Sequence, residues 1–209
     1  MFIEQGIKPE NKFWKYILGF LLFMIAYTIG QVPFTLAVLY KSTSMGNGIP
    51  TDPSELMKVL DSNLTLFLLL LTFVAAFIGI YIAVRYINQQ KFIERVTARK
   101  KVDWNRVFFS FSLWAVFTIV SIAIMYYTSP QDFVVNFNLV PFLGLAVIAI
   151  LLIPIQTSTE EFVFRGYLMQ GFGTLFLNKW APLLTTSVLF GLMHIFNPEV
   201  DKIGYIILI

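Results

Sequence analysis

The sequence predicts an all-α fold, a polytopic transmembrane helix bundle, and three observations predict it. Of the 209 residues, 57% are hydrophobic and only 13% are charged. A soluble domain of this length has no interior large enough for so much apolar side chain. Apolar runs close to the length of a bilayer-spanning helix recur along the chain, and the basic residues collect between them. The expectation is one integral membrane domain over 1–209, about six helices plus a truncated seventh, with the lipid bilayer as its surroundings. The chain has no cysteine, which excludes disulfides and thiolate chemistry. Its net charge of +3 is small and concentrated in one loop, so no nucleic-acid partner is expected.

Met1 to Lys15 is a polar lead in which Trp14 and Lys15 can anchor the next helix at the interface. The first span is 16–40, with a kink expected at Gly30-Gln31-Val32-Pro33. A loop rich in Ser, Gly, Pro and Asp follows, holding a short helix capped by Ser54. The second span, 64–86, is the most uniformly apolar. The 86–106 loop, with Arg85 at its head, carries Lys91, Arg95, Arg99, Lys100, Lys101 and Arg106 against Glu94 and Asp103. By the positive-inside rule this loop and the N-terminus are cytoplasmic, and setting the topology is the simplest account of its charge.

The third span is 107–127 and the fourth 140–156. The polar run Gln156-Thr157-Ser158-Thr159 then breaks the pattern, and Ser158 with Glu161 has the spacing of a capping box. A new helix is therefore expected over 159–177, and Pro182 opens another over 182–196. The last seven residues, 203–209, are apolar but too few to span a bilayer. They read as a partial seventh helix of a fragment or a truncated protein.

The chemistry collects in the motif-bearing core, 140–196. Between Val107 and Asn178 the charged residues are Asp132, Glu160, Glu161 and Arg165. Ionisable groups inside apolar helices are costly and usually functional. In an antiparallel hairpin turning near Leu177, Glu160 and His194 lie at one level, each about 25 Å from the turn. His194 is the single histidine of the chain. Glu161 and Arg165 are one helical turn apart, so an ion pair can reduce the cost of burying both. Adjacent helical residues point about 100° apart, which leaves Glu160 on another face. Phe164 and Phe190 stand one turn from Glu160 and His194, and Gly191 allows close packing. A carboxylate beside an imidazole can activate water. The pair Glu160 and His194 can also contribute to a zinc site, although zinc normally takes at least three protein ligands.

At these residues the sequence resembles the CPBP intramembrane proteases, a group that includes the CAAX prenyl endopeptidases and the bacteriocin-processing and self-immunity (Abi) proteins. Their EExxxR motif matches Glu160-Glu161-Phe162-Val163-Phe164-Arg165, and their FxxxH motif matches Phe190-Gly191-Leu192-Met193-His194. The resemblance implies hydrolysis of a peptide bond in a membrane-associated peptide or lipidated-protein substrate. Glu160 would activate the water beside His194, with Glu161 and Arg165 in support, in the cell membrane of a bacterium. The family has been described both as metallo-enzymes and as metal-free glutamate enzymes, so zinc is its implied cofactor in one reading only. A third family motif, a histidine four residues before an asparagine or small residue, is absent from these 209 residues. On this reading residues 1–209 alone turn over little substrate. The rival reading is a catalytically incomplete membrane scaffold, or a self-immunity protein, that binds a partner. A transporter would carry internal repeats, and none stands out.

Overall fold

A computed structural model describes residues 2–46, 48–176 and 178–195. The expected turn centre at Leu177, the helix end at Phe196-Asn197-Pro198 and the partial helix 203–209 lie outside the described residues. Among the described residues there are helices and no strand.

Helix α1 runs from Phe13 to Ser44. It passes through Pro33 without a break, so the expected interruption is absorbed within one helix. The Thr72 hydroxyl, from a neighbouring helix, donates to the Gly30 carbonyl at 3.1 Å. Helix α2 is the four-residue turn Pro53–Leu56. Asp52, not Ser54, is its cap, accepting from the Ser54 amide at 2.7 Å. Pro53 takes the first helical position, where its missing N–H costs nothing. The bonds from Ser54 hold the Asp52 carboxyl below the usual carboxylate range.

Helix α3, Ser62–Ile82, is capped by Asp61 and continues into a π-helical turn, Ala83–Ile87. It lies antiparallel to α1 at close range. A Cβ on Gly79 would stand 2.6 Å from that of Ala26, and one on Gly30 would stand 2.9 Å from Thr72 Cα. Small residues let two backbones approach in lipid, where packing replaces the hydrophobic drive.

Helix α4, Trp104–Thr128, is capped by Asp103. None of its residues is buried by the rest of the fold, as suits a helix whose neighbour is lipid. Helix α5, Leu139–Glu161, runs parallel to α3. Asn63 near the start of α3 donates to the Pro141 carbonyl at 2.8 Å, and Thr159 near the end of α5 donates to Phe73 at 3.4 Å.

The break expected at 156–159 does not occur. Helix α5 passes through it and enters a π-helical turn, Phe162–Leu168, which leads into α6, Met169–Phe176. The polar run stays helical because its hydroxyls turn inward on their own helix. Thr157 donates to the Ile153 carbonyl at 3.1 Å and Thr159 to Ile155 at 2.6 Å. Among apolar neighbours a helix end at this depth would leave four carbonyls without partners, so continuity wins over the capping signal. The separate spans expected at 140–156 and 159–177 are thus one apolar run, Leu139–Phe176.

Helix α7, Trp180–His194, follows a turn in which Asn178 accepts from the amides of Trp180 and Ala181. Four helical runs are long and apolar enough to cross a membrane: Phe13–Ser44, Ser62–Ile87, Trp104–Thr128 and Leu139–Phe176. The protein is an all-α membrane bundle.

Its core sits where α1, the end of α3 and the π turn at 162–168 meet, around Tyr16, Ala83, Val163 and Tyr167. The polar N-terminal lead folds back onto this end of the bundle. Its short turn, Ile3–Gly6, packs on α6, and Gln170 donates to the Phe2 carbonyl at 3.1 Å.

Candidate active site

Glu160 lies in the last turn of α5 and His194 in the last turn of α7. Both line one partly open cavity of about 220 Å³ between α1, α3, α5 and α7. Phe23, Met24 and Tyr27 line it from α1, Phe73 from α3, Gln156 and Thr159 from α5, and Phe164 from the π turn that follows. Glu160 is half-buried there, and the Gln156 amide, one turn earlier, donates to it at 3.4 Å.

His194 is placed by two contacts. Its Nδ1 donates to the Phe190 carbonyl at 2.8 Å, since a carbonyl can only accept. This leaves Nε2 as the nitrogen available to water or substrate. Its ring lies 4.3 Å from that of Phe190, which meets Phe164 edge-on at 5.3 Å. A line of three aromatic rings therefore ties the histidine back to the helix that carries Glu160.

Glu161 and Arg165 sit on a different face. Arg165 Nη1 lies 2.9 Å from Glu161 Oε1, the expected one-turn pair. The burial expected for it is not found: the Arg165 side chain is 65% exposed and that of Glu161 47%. They line an open groove with Phe2, Thr97 and Ala98, away from the cavity of Glu160. The pair faces the 95–98 loop, not a neighbouring helix.

A zinc ion does not fit the residues present. Among the described residues there is no group of three His, Cys, Asp or Glu side chains that could hold a metal. Glu160 and His194 supply two ligands where zinc takes at least three from the protein, and Glu161 is engaged with Arg165.

Gln156, Thr159 and Tyr27 are cavity residues that sequence reasoning did not single out. The position of Gln156, four residues before Glu160, was a usable signal; Tyr27 comes from a distant helix and gave none. A second, apolar cavity of about 630 Å³ adjoins the first, with Phe164 and Met193 lining both.

Fold and cavity together define an all-helical integral membrane protein that holds a carboxylate and an imidazole against one cavity between its helices. Residues 139–209 match the family described as "Type II CAAX prenyl endopeptidase Rce1-like". The matched stretch is the one that carries both motifs. The whole chain is similar to the Bacillus subtilis (strain 168) protein "Uncharacterized protein YyaK", with 32% identity over 199 residues, covering 95% of this chain and 66% of that one. The chain thus spans about two thirds of the length of that relative. No solved structure matches.

Proposed function

We propose that the protein is an intramembrane endopeptidase of the CAAX protease type, in which Glu160 activates water to hydrolyse a peptide bond. The observation that carries this reading is the shared cavity of Glu160 and His194 inside an apolar bundle. Glu160 takes a proton from water, and the oxygen attacks the peptide carbonyl carbon. The C–N bond then breaks, and the proton passes from Glu160 to the departing amine. His194 Nε2, the unprotonated nitrogen of this tautomer, accepts from the water and holds it beside the base. Phe23, Phe73 and Phe164 give the cavity a largely apolar wall, which strengthens the polar contacts made against it.

The substrate is a membrane-associated peptide or lipidated protein, reaching the site from the bilayer. The basic loop at 86–106 and the N-terminus face the cytoplasm of a bacterial cell. No step passes through a metal.

The test uses the protein with its full natural reading frame in proteoliposomes, given a prenylated reporter peptide in water enriched in oxygen-18. Hydrolysis places one heavy oxygen in the new carboxylate and is lost in Glu160→Gln. Intact peptide throughout, with stable binding of the reporter, would instead favour the non-catalytic scaffold.

A further inference from the structure

We propose that Arg95 is a positioning residue for Glu160, acting through the π-helical turn at 162–168. The inference rests on the hydrolase reading for its kinetic consequence, but not for its geometry.

Arg95 belongs to the basic loop, yet it does not share the exposed setting of Arg99, Lys100 and Lys101. It is 2% exposed, the largest fully buried side chain of the described fold. Its guanidinium is held by neutral groups. Nη1 donates to the Tyr16 hydroxyl at 3.0 Å and to Gln170 Oε1, and Nη2 donates to Gln90 Oε1. The cation also lies over two rings, 4.9 Å from the centre of Tyr16 and 5.4 Å from that of Tyr167. Burying a cation among neutral partners is a poor way to gain stability. What it does gain is a fixed place, because a planar fork with several donors tolerates little displacement.

That place bears on the C-terminal half of the π turn and the start of α6. Tyr167 lies within the turn, and Gln170 lies just beyond it. The Arg95 carbonyl sits against Gly166, where a Cβ would come within 2.6 Å. A π turn carries about one residue more than an α turn. Relaxing it to an α-helix would therefore rotate the residues before it by about 100° relative to those after it. Tyr167 and Gln170 are anchored, Tyr167 by donating to Asn88 Oδ1 at 2.9 Å and Gln170 by donating to the Glu94 carbonyl at 2.8 Å. Relaxation would therefore turn the segment ending in Glu160 and Glu161, against the contact that Thr159 makes with the Phe73 carbonyl at 3.4 Å. Arg95 holds the turn in its π form, and the turn aims Glu160 into the cavity.

The cysteine-free chain makes this measurable without activity. One cysteine pair, Glu160→Cys with His194→Cys, reads the site through a short thiol-reactive linker. A second pair, Asn63→Cys with Gly144→Cys, reads the far end of α3 and α5. In the Arg95→Lys background the site pair should cross-link about fivefold less, while the far pair stays within twofold. On the full-length protein with Glu160 in place, Arg95→Lys should lower kcat at least tenfold and leave KM within twofold. Unchanged cross-linking of the site pair would overturn the proposal. So would equal loss at both pairs, which is the mark of a merely structural residue. If Arg95→Lys does not accumulate folded, Tyr16→Phe, which removes one acceptor of the guanidinium and keeps the ring, is read the same way. It should lower the site cross-link at least twofold, and an unchanged ratio overturns the proposal. A shifted cross-link in a protein that cleaves no peptide would leave the positioning role standing and remove the hydrolase reading.

Discussion

The carbonyl oxygen of Arg95 stands where a side chain at Gly166 would have to go: a Cβ there would lie 2.6 Å away. The neighbouring atom is backbone, pinned by a buried side chain, so it cannot give way as a flexible chain end would. Gly166→Ala is expected to destabilise the protein by about 1–3 kcal/mol, the usual cost of overpacking. Gly48→Ala, at a site with nothing within 4 Å, should change little. Thermal unfolding of both variants in the same detergent checks the contrast.

Tyr167 is wholly buried and donates its phenol to Asn88 Oδ1 at 2.9 Å. Tyr167→Phe keeps the ring over Arg95 but leaves a buried amide oxygen without its donor. The expected loss is about 1–3 kcal/mol. A melting temperature equal to that of the unmodified protein would mean that Asn88 finds another donor.

The exposed pair of Glu161 and Arg165 leads to the opposite expectation. Two side chains exposed to this extent gain little from a contact of 2.9 Å. Arg165→Leu should therefore shift stability by less than about 1 kcal/mol. A loss several times larger in the unfolding midpoint would show that the pair is shielded in the folded protein by something outside the described residues.

Much of this architecture is written in local sequence. Apolar runs mark the long helices, and Asp61 and Asp103 stand where caps are needed. The spacing of Glu161 and Arg165 fixes their contact. What misled was the polar run 156–159, because a capping signal in water competes with the cost of ending a helix among apolar neighbours. The role of Arg95 was hidden for a different reason. The other basic residues of its loop, Lys91, Arg99, Lys100 and Lys101, are exposed, whereas its partners Tyr16 and Gln170 are 79 and 75 residues away. No periodicity in the loop marks it as buried. The π turn was equally invisible, since a single extra residue in a helix leaves the hydrophobic pattern nearly unchanged.

The two adjacent glutamates provide the sharpest test of the site. Glu160 lines the cavity with His194, and Glu161 lines the outer groove with Arg165. Replacing either by glutamine keeps size and hydrogen-bonding capacity but removes the negative charge. If Glu160 is the base, Glu160→Gln should lower kcat by about 10²–10⁴-fold, the range that a positioned base contributes. Glu161→Gln removes only an exposed ion pair and should stay within about tenfold of the unmodified protein in kcat. Both are measured on the full-length protein against the same reporter peptide, with circular dichroism to establish equal helicity. Equal losses from the two substitutions would mean that the helix end acts as one unit. A larger loss from Glu161→Gln would move the base to the outer groove and leave the cavity of Glu160 without a catalytic role.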